Sequence, residues 1–429
     1  MRLLFHHRIA SRDGQAVHMD ELCAALARLG HEIILVGPAR TARLQFGGDA
    51  GVVGFLKRTL PRAIYEMLEL AYNLIALPRL WLAIRRHRPD AVYERYNLFA
   101  ISGAILARLN HVPLLIEVNA PLCEERAKVD GIGLKRVAAW SEKMVWRSAD
   151  YVLPVTHVLA DYVRRAGVDE RRIIVVPNGI DERKFAELPR RDVAKRRLGL
   201  DGRMVLGFTG FVRAWNSLER VIDFMAGPES DPTIHLLLVG DGPARAELEA
   251  RAQRLGVRDR LTVTGIVARE AIVSHIAAFD IALQPGVTPY ASPLKLFEYM
   301  AAGLAIIAPD SMNIREILTN GADAVLVDPD SPEQLAAAIG SLSRDEARRE
   351  KLGAAARATI ERRGFTWTKN AQLVAELVLR LRGKTSALDR GPADHFESAD
   401  VSALLEPSAV STPSHAPSSR SPEPECRRS

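Results

Sequence analysis

The sequence predicts an α/β protein made of two similar doubly wound halves, each with a mainly parallel sheet. Short apolar runs alternate with helical segments along most of the chain, and this alternation is typical of α/β layers. At 429 residues the chain is long enough for two domains with full cores. Ligands in such sheets bind beyond the carboxyl ends of the strands, so two facing halves predict one shared cleft.

In the first half, six apolar runs are predicted to be strands because they are short, apolar and bounded by turn residues. They are RLLFHH at 2–7, EIILVGP at 32–38, AVYERY at 91–96, PLLIEVN at 113–119, YVLPVT at 151–156 and RIIVVPNG at 172–179. Helical periodicity between them predicts helices near 16–29, 63–86, 99–109, 135–147 and 156–166.

The second half repeats the pattern with six more apolar runs. They are MVLGFTG at 204–210, IHLLLVGDG at 234–242, LTVTG at 261–265, IALQP at 281–285, AIIAPD at 305–310 and AVLVD at 324–328. The intervening helices are predicted near 217–226, 243–255, 269–277, 293–302, 313–319 and 332–341.

The C-terminal part of the chain changes character twice. From 364 it reads GFTWTKNAQLVAELVLRLRGK, which predicts an amphipathic helix. From 384 onward, Ser, Pro, Ala and charged residues replace the periodic pattern, which predicts a disordered tail. The predicted organisation is 1–180 for the first domain, 181–363 for the second, 364–383 for the helix and 384–429 for the tail.

Composition narrows the functional classes. Apolar residues make up 48% and charged residues 26% of the chain, as in a soluble globular protein. The balance of 58 basic and 52 acidic residues gives +6, a mild bias without a nucleic-acid-reading motif, so no nucleic-acid partner is expected. The three cysteines, Cys23, Cys123 and Cys426, have neither metal-ligand spacing nor an even disulfide framework, which fits a reducing cytoplasm.

Neither a signal peptide nor a transmembrane helix is predicted. The apolar stretch at the N-terminus is too short for a signal peptide, since histidines and arginines follow it at once. The most apolar long region, 60–84, contains Arg62, Glu66, Glu69 and Arg79, and these charges disfavour a membrane span.

Residues 292–303, SPLKLFEYMAAG, are the most informative stretch for function. Ser292 suits the N-cap and Pro293 the first helical position, so a helix should begin here with free N–H groups that favour an anion. Lys295 adds a cation in the first turn, and Glu298 offers a carboxylate that could accept hydrogen bonds from a ribose diol. The pattern therefore suggests a nucleoside diphosphate; the alternative is a capped helix whose charged side chains are solvated and pair with each other.

SPLKLFEYMAAG followed by an apolar strand closely resembles the nucleotide-sugar signature of the large retaining glycosyltransferase family 4. Five separated segments between 1 and about 383 resemble this family in its order, among them VPNGIDERKF at 176–185, LLLVGDGPARAELE at 236–249 and LTVTGIV at 261–267. The resemblance implies the GT-B fold: two facing Rossmann-like domains and a C-terminal helix that returns to the first. It also implies donor binding by the second domain, acceptor binding by the first, and retention of configuration without a catalytic metal.

The resemblance assigns roles to individual residues. Backbone groups of Gly265, Ile266 and Val267 would meet the nucleobase, and Glu298 would hold the ribose. The groups expected to face the diphosphate are the N–H groups of Leu294, Lys295 and Leu296, together with Gly14 after the first strand. For Gly14, a tight turn without ligand contact is an equal alternative.

Two positions depart from the family pattern. The first carboxylate of the usual pair is replaced by Tyr290, so backbone N–H groups near Ser292 would have to hold the donor sugar. In GFTGFVRAWN at 207–216, Gly210 and Arg213 are expected at the donor phosphates, but Asn216 stands where a lysine is common and supplies no charge. Asn216 and Tyr290 are nevertheless expected among the donor-binding residues. Arg213 can clamp phosphate with its guanidinium fork; an ordinary exposed surface arginine is the alternative.

On the acceptor side, IEVNAPLCEER at 116–126 follows a predicted strand. Glu117 and Asn119 are expected to line the cleft, against the alternative of a solvated loop. With Arg213 and Lys295 they form the predicted catalytic set, and no metal ligand and no cofactor beyond the nucleotide-sugar co-substrate is expected.

Residues 51–88 carry seven basic and two acidic residues beside aromatic and leucine-rich turns. This predicts peripheral contact with an anionic membrane; a core-packed helix with basic ends is the alternative.

The overall expectation is a cytoplasmic enzyme, at the inner face of the plasma membrane, that moves a hexose-type sugar to a glycan or lipid-linked acceptor in cell-surface polysaccharide or glycolipid assembly. A catalytically degenerate scaffold or regulator is the competing hypothesis, and a sugar-nucleotide epimerase is disfavoured because its acid/base set is not evident.

Overall fold

The computed structural model describes residues 1–9, 14–38, 52–129 and 131–388. The first half contains the strands β1 (Arg2–His6), β2 (Glu32–Val36), β3 (Ala91–Arg95), β4 (Leu114–Val118) and β5 (Tyr151–Pro154). All pair in parallel, in the order β2-β1-β3-β4-β5. Its helices are α1 (Gly14–Arg28), α2 (Val52–Thr59), α3 (Arg62–Ala71), α4 (Asn73–His87), α5 (Ser102–Leu109), α6 (Leu122–Val129), α7 (Lys135–Ser148) and α8 (His157–Arg165).

The second half contains the strands β6 (Met204–Thr209), β7 (Ile234–Val239), β8 (Leu261–Val263), β9 (Ile281–Leu283), β10 (Ala305–Pro309) and β11 (Val325–Val327). They form a parallel sheet in the order β11-β10-β9-β6-β7-β8. Its helices are α9 (Arg191–Arg197), α10 (Glu219–Ala226), α11 (Arg245–Arg254), α12 (Arg269–Ile276), α13 (Leu294–Ala301), α14 (Met312–Arg315), α15 (Pro332–Arg344) and α16 (Glu346–Arg363), followed by α17 (Trp367–Leu388).

The order of the second sheet fixes where a ligand can bind. The chain winds outward from β6 through β7 to β8, then returns to the other side of β6 and continues outward from β9. This reversal between β6 and β9 is a topological switch point, where the connections leave in opposite directions and open a crevice at the carboxyl ends. The prediction of two doubly wound, parallel α/β halves is confirmed.

Helix α17 belongs to the core of the first half although it follows the second half in sequence. Trp367, Ala371 and Val374 are buried in one apolar cluster with Phe5 of β1 and Leu22 of α1. Burial of this apolar side against the first domain explains the amphipathic pattern in the sequence. The helix continues to Leu388, beyond the predicted end at 383; most of the predicted tail, 389–429, lies outside the described residues.

The two connections between the halves run side by side. Ile180 donates its N–H to the carbonyl of Phe365 (3.1 Å) and accepts from the N–H of Trp367 (3.1 Å). A Cβ on Gly179 would lie 2.7 Å from the carbonyl carbon of Thr366, a separation that real Cβ atoms do not show. Glycine at 179 therefore permits this backbone-to-backbone contact.

Two element predictions were wrong, and four helices were not predicted. Residues 172–179 do not form a sixth strand: Val176 donates to the carbonyl of Pro154 (2.9 Å), but Pro154 has no N–H to continue the ladder. The helix predicted at 63–86 divides at Tyr72, because the buried Asn73 side chain bonds the carbonyls of Leu70 and Phe99, both at 2.7 Å. The helices α2, α6, α9 and α16 were not predicted.

The stretch Arg62–His87, 26 residues long, is apolar enough to cross a membrane by length and composition alone. Its inner side packs in the first domain, since Glu66, Leu80 and Ile84 are each less than 5% exposed. Buried domain helices meet the same criterion, so this finding is weak evidence for a span.

Candidate functional site

The loops after two neighbouring strands, β6 and β7, meet at the carboxyl edge of the second sheet. Gly210, after β6, donates its N–H to the Val239 carbonyl (2.9 Å), and Val212 donates to the Asp241 carbonyl (3.0 Å). A Cβ on Gly240 would lie 2.1 Å from the Gly210 oxygen, so the two loops are in direct backbone contact. This packing fixes the loop that carries Arg213 at the switch point.

Helix α13 begins one residue later than predicted. Pro293 occupies the N-cap in an extended conformation and makes no side-chain cap. Ser292 is buried and serves another purpose: its hydroxyl accepts from the Asn178 N–H (3.3 Å), and its carbonyl accepts from the Asn178 side-chain amide (2.5 Å). The predicted capping role of Ser292 was therefore wrong, since its hydrogen bonds hold this loop to the segment that joins the halves.

The N–H groups predicted to face an anion divide into two sets. Leu296 donates its N–H to the Pro293 carbonyl (3.1 Å), so it is not available to a ligand in this state. Within the described residues, no acceptor bonds the N–H groups of Leu294 and Lys295. These two groups remain at the positive end of the helix dipole.

Lys295 places its amine at this helix end. Its Nζ lies 3.5 Å from the centroid of the Phe208 ring, and a Cβ on Gly210 would lie 3.5 Å from the same nitrogen. Burial lowers the pKa of Lys295 to about 7, an effect that the Glu298 carboxylate partly opposes. Over the described ranges, no carboxylate forms an ion pair with Lys295, so the site favours an incoming anion.

Glu298 lies one turn further along α13 and is partly buried. Burial raises the pKa of its carboxyl, and the charges of Lys295, Arg269 and Lys184 lower it in part. The described part of the chain offers this carboxylate no hydrogen bond. A carboxylate that is half-buried and unbonded is suited to accept hydrogen bonds from a ligand diol.

Arg213 is held between two aromatic rings. Its guanidinium carbon lies 4.5 Å from the Phe211 ring centroid and 4.7 Å from that of Trp215. Asn216 is 5% exposed, and its side-chain oxygen accepts from the Arg213 N–H (2.8 Å). This side chain therefore fixes the turn that presents Arg213, and contact of Asn216 with the donor stays a prediction.

Tyr290 connects the two halves instead of filling the place of an acid. Its carbonyl accepts from the Thr156 hydroxyl (3.0 Å), and its ring packs against the core of the first half.

Asn313, fully buried, donates its amide to the carbonyls of Thr288 (3.1 Å) and Ala291 (2.7 Å). These contacts fix the shape of the 288–292 loop, and sequence reasoning did not identify Asn313.

The predicted nucleobase loop is open to ligand contact. Gly265 has φ +70°, a conformation that favours glycine. Ile266 is 62% exposed, and Val267 packs against the core of the second half. On the facing domain, a Cβ on Gly14 would lie 3.7 Å from Leu294, so the start of α1 meets the start of α13. Contact of Gly14 with a diphosphate stays a prediction.

Glu117 does not line an open cleft. It is 2% exposed and accepts from Tyr93 (2.8 Å), from Arg95 and from Asn119. His18 Nε2 lies 2.9 Å from the same carboxylate. Burial alone would raise the pKa of Glu117, but His18, Arg95 and Asn119 outweigh it and hold the pKa well below its usual range.

Burial changes the interpretation of the predicted acceptor residues. Glu117 has no exposed surface that an acceptor could reach, so its role is to hold its four partners. Asn119, the residue after β4, is only partly buried. Direct acceptor contact therefore remains a prediction for Asn119 alone.

Two carboxylates that join the halves were missed from the sequence. Glu21 of α1 is 6% exposed and pairs with Lys184 and Arg269 of the second half. Glu316 accepts from the N–H groups of His157 (2.7 Å) and Val158 (3.1 Å) at the start of α8. No local motif marks either residue, because each pairing joins positions more than a hundred residues apart.

Comparison with known proteins agrees with this geometry. The family model described as Glycosyltransferase Family 4 matches residues 12–184, and that described as Glycosyl transferases group 1 matches 191–359. A D-inositol 3-phosphate glycosyltransferase of Xylanimonas cellulosilytica is 29% identical over 395 residues, which cover 85% of this chain and 91% of that protein. A 2-deoxystreptamine glucosyltransferase of Streptomyces kanamyceticus is 27% identical over 294 residues, which cover 63% of this chain and 74% of that protein.

A solved structure shares the fold. Anabaena HepE in complex with UDP matches with a TM-score of 0.69 at 20% identity, covering 89% of this chain and 100% of that one. Two Rossmann-like domains with a switch-point crevice and a returning C-terminal helix define a glycosyltransferase of the GT-B class. The two matched models, which together span both halves, place the chain in glycosyltransferase family 4, as the sequence predicted.

Proposed function

We propose that this protein transfers a hexose-type sugar from a nucleotide-diphosphate donor to a glycan or lipid-linked acceptor, with retention of configuration. The observation that carries the proposal is Lys295 at the start of α13, beside Gly210 at the switch point and without a carboxylate partner among the described residues. Helix dipole, free N–H groups and ammonium together form a site for a diphosphate. The UDP in the Anabaena structure supports a nucleotide as the ligand.

The negative charge that develops on the leaving diphosphate explains how Arg213 and Lys295 would act. The bond between the sugar C1 and the phosphate oxygen breaks, and C1 bonds the acceptor oxygen, whose proton passes to the leaving phosphate. Negative charge grows on the diphosphate as the bond breaks, so Arg213 and Lys295 stabilise the transition state more than the bound donor. The leaving phosphate serves as the base, and no carboxylate is required for that step.

Donor turnover tests the function. Purified full-length protein is incubated with UDP- and GDP-sugars that pass a thermal-shift screen, with and without a lipid extract, in excess chelator. Sugar transfer or donor hydrolysis in chelator supports the proposal, and a strict need for Mg²⁺ contradicts the metal-independent mechanism. Binding without any turnover would favour the competing hypothesis of a degenerate scaffold, which Tyr290 and Asn216 motivate.

Glu298→Gln is expected to weaken nucleotide binding by about 1.5–3 kcal/mol, the scale of hydrogen bonds to a charged group. Isothermal titration calorimetry with the donor selected by thermal shift measures the effect. Glu270→Gln, at an exposed position of α12, is the matched control and should bind as the wild type. Unchanged affinity in folded Glu298→Gln would refute the assignment of this carboxylate to the ribose.

Donor affinity is expected to fall as the pH rises above about 7. The pKa of Lys295 in the empty site is about 7, and a bound diphosphate raises it, so binding above this pH requires proton uptake. The dissociation constant should increase by up to about tenfold per pH unit toward pH 9. Calorimetry at several pH values measures this slope; it should flatten in Lys295→Met, and equal affinities at pH 7 and 9 would contradict the assignment.

We also propose a cytoplasmic location with peripheral contact between 51–88 and the inner face of the plasma membrane. The basic and apolar character of this segment supports it, and a role in cell-surface polysaccharide or glycolipid assembly follows if the acceptor is lipid-linked.

A further inference from the structure

Helices α3 and α4 carry an apolar stripe on the side that faces away from the domain. Its members are three or four residues apart in α3 and two turns, or seven residues, apart in α4, and each is at least 46% exposed. They are Ile64, Met67, Leu68, Leu74, Ile75, Trp81 and Leu82. Isolated exposed apolar residues are ordinary, but a continuous stripe along two helices indicates an interaction surface.

The charges around the stripe have one sign. The only acidic residues in 52–88 are Glu66 and Glu69, and both are engaged inside the domain. Glu66 accepts from the N–H groups of Gly133 (3.0 Å) and Leu134 (2.6 Å), and Glu69 pairs with Arg126 of α6. The arginines of the two helices and of the residue after them are exposed: Arg62, Arg79, Arg85, Arg86 and Arg88.

We propose that this α3–α4 face docks on an anionic lipid bilayer. The apolar stripe would enter the boundary between headgroups and acyl chains, and the arginines would contact lipid phosphates, as charge complementarity requires. The helices lie in the plane of the membrane and do not cross it, because their inner side, with Leu80 fully buried, is part of the domain core. Trp81, with Arg85 5.5 Å from its ring, suits the headgroup level.

The docking face is connected to the acceptor side of the cleft. Glu69 of α3 binds Arg126 of α6, and α6 follows the β4 strand that ends near Asn119. Arg8, just beyond β1, lies 4.6 Å from the ring of Tyr72, where α3 meets α4. A docked face therefore places the acceptor side beside the bilayer, and the inference that the acceptor is lipid-anchored rests on the proposed function.

Vesicle co-sedimentation of the full chain tests docking. The probes are vesicles of phosphatidylcholine alone and of phosphatidylcholine with about one third phosphatidylglycerol, at low and high salt. The wild type is expected to bind the anionic vesicles selectively. The L74E/L82E double variant, at the positions that are 74% and 60% exposed, should lose about 10-fold or more of this affinity.

The arginines are tested separately. The R85Q/R86Q variant should lose about fivefold in affinity for each arginine, and only for anionic vesicles. The control L255E/L379E changes two leucines that are 43% and 55% exposed elsewhere on the protein, and it should bind vesicles as the wild type does. Donor binding by thermal shift should be intact in every variant, which separates loss of docking from loss of folding.

Three results would overturn the inference: equal binding to neutral and anionic vesicles, no vesicle binding at all, or wild-type binding by both L74E/L82E and R85Q/R86Q. A wild-type dimer that L74E/L82E dissociates in size-exclusion chromatography would also overturn it, because the face would then join two copies of the chain. Vesicle binding needs no donor, so failure of the transferase assay and failure of docking are distinguishable.

Discussion

Arg213→Ala is expected to lower kcat by about 100-fold or more while the Kd for the donor changes little. Charge on the bridging oxygen grows as the glycosyl–phosphate bond breaks, and a fixed cation there stabilises the transition state beyond the ground state. The stacking of Arg213 between Phe211 and Trp215 fixes its position before the reaction. A preorganised group of this kind gives most of its effect in kcat.

Steady-state kinetics and donor titration measure the two quantities in the same preparations. Arg190→Ala, a side chain that is 84% exposed, is the matched control and should leave both unchanged. Asn216→Lys is not expected to restore activity, because Asn216 is buried and bonds the Arg213 backbone. A higher KM with an intact kcat in Arg213→Ala would show that Arg213 is a uniform binding contact, and its catalytic role would have to be abandoned.

Glu117→Gln is expected to destabilise the first domain by about 3–5 kcal/mol at neutral pH, the scale for removing one partner of a buried ion pair. The change leaves His18 and Arg95 without their shared carboxylate. Urea denaturation followed by tryptophan fluorescence measures it, since Trp146 and Trp367 are both buried in this domain. Glu124→Gln removes the charge from the exposed pair with Lys128, while its side-chain oxygen can still accept from the Tyr162 hydroxyl (3.4 Å), and it should cost less than about 1 kcal/mol.

The pH dependence of this effect has a definite sign. The pKa of Glu117 in the folded state is well below its usual range, so its stabilisation is fully present above the unfolded pKa, about 4.3. It is lost as the pH falls from that value toward the folded pKa. The difference between wild type and Glu117→Gln should therefore shrink below about pH 4; a constant difference would show that packing, not charge, is the cause.

Periodic features of the chain could be predicted from sequence because they follow from local rules. The apolar strands, the helix after Pro293 and the amphipathic helix from Trp367 each express a hydrophobic period within one segment. The resemblance to a family added the meeting of Gly14 and Leu294, which are 280 positions apart in sequence. Neither the hydrophobic period nor the family resemblance requires knowledge of which side chains contact each other in the fold.

What could not be predicted depends on distant partners. Glu117 resembles a loop carboxylate at a strand end, yet His18 and Arg95 enclose it from other elements. Ser292 satisfies the usual rule for an N-cap, but Asn178 takes its hydroxyl. Asn73 divides a helix because its side-chain amide donates to the carbonyl of Phe99 in another segment. In each case a long-range hydrogen bond outweighed a local preference.

The paired connections at Ile180 and Thr366 constrain how the two domains can move. A single linker would let one domain swing in any direction, but two backbones bonded side by side share one bending line. The contacts of Glu21 and Glu316 also join the two domains, so opening about that line would have to break them. Sliding of one domain across the other would break the Ile180 hydrogen bonds. The expected motion is therefore hinge bending about the paired connections, which opens and closes the ligand site between the two domains.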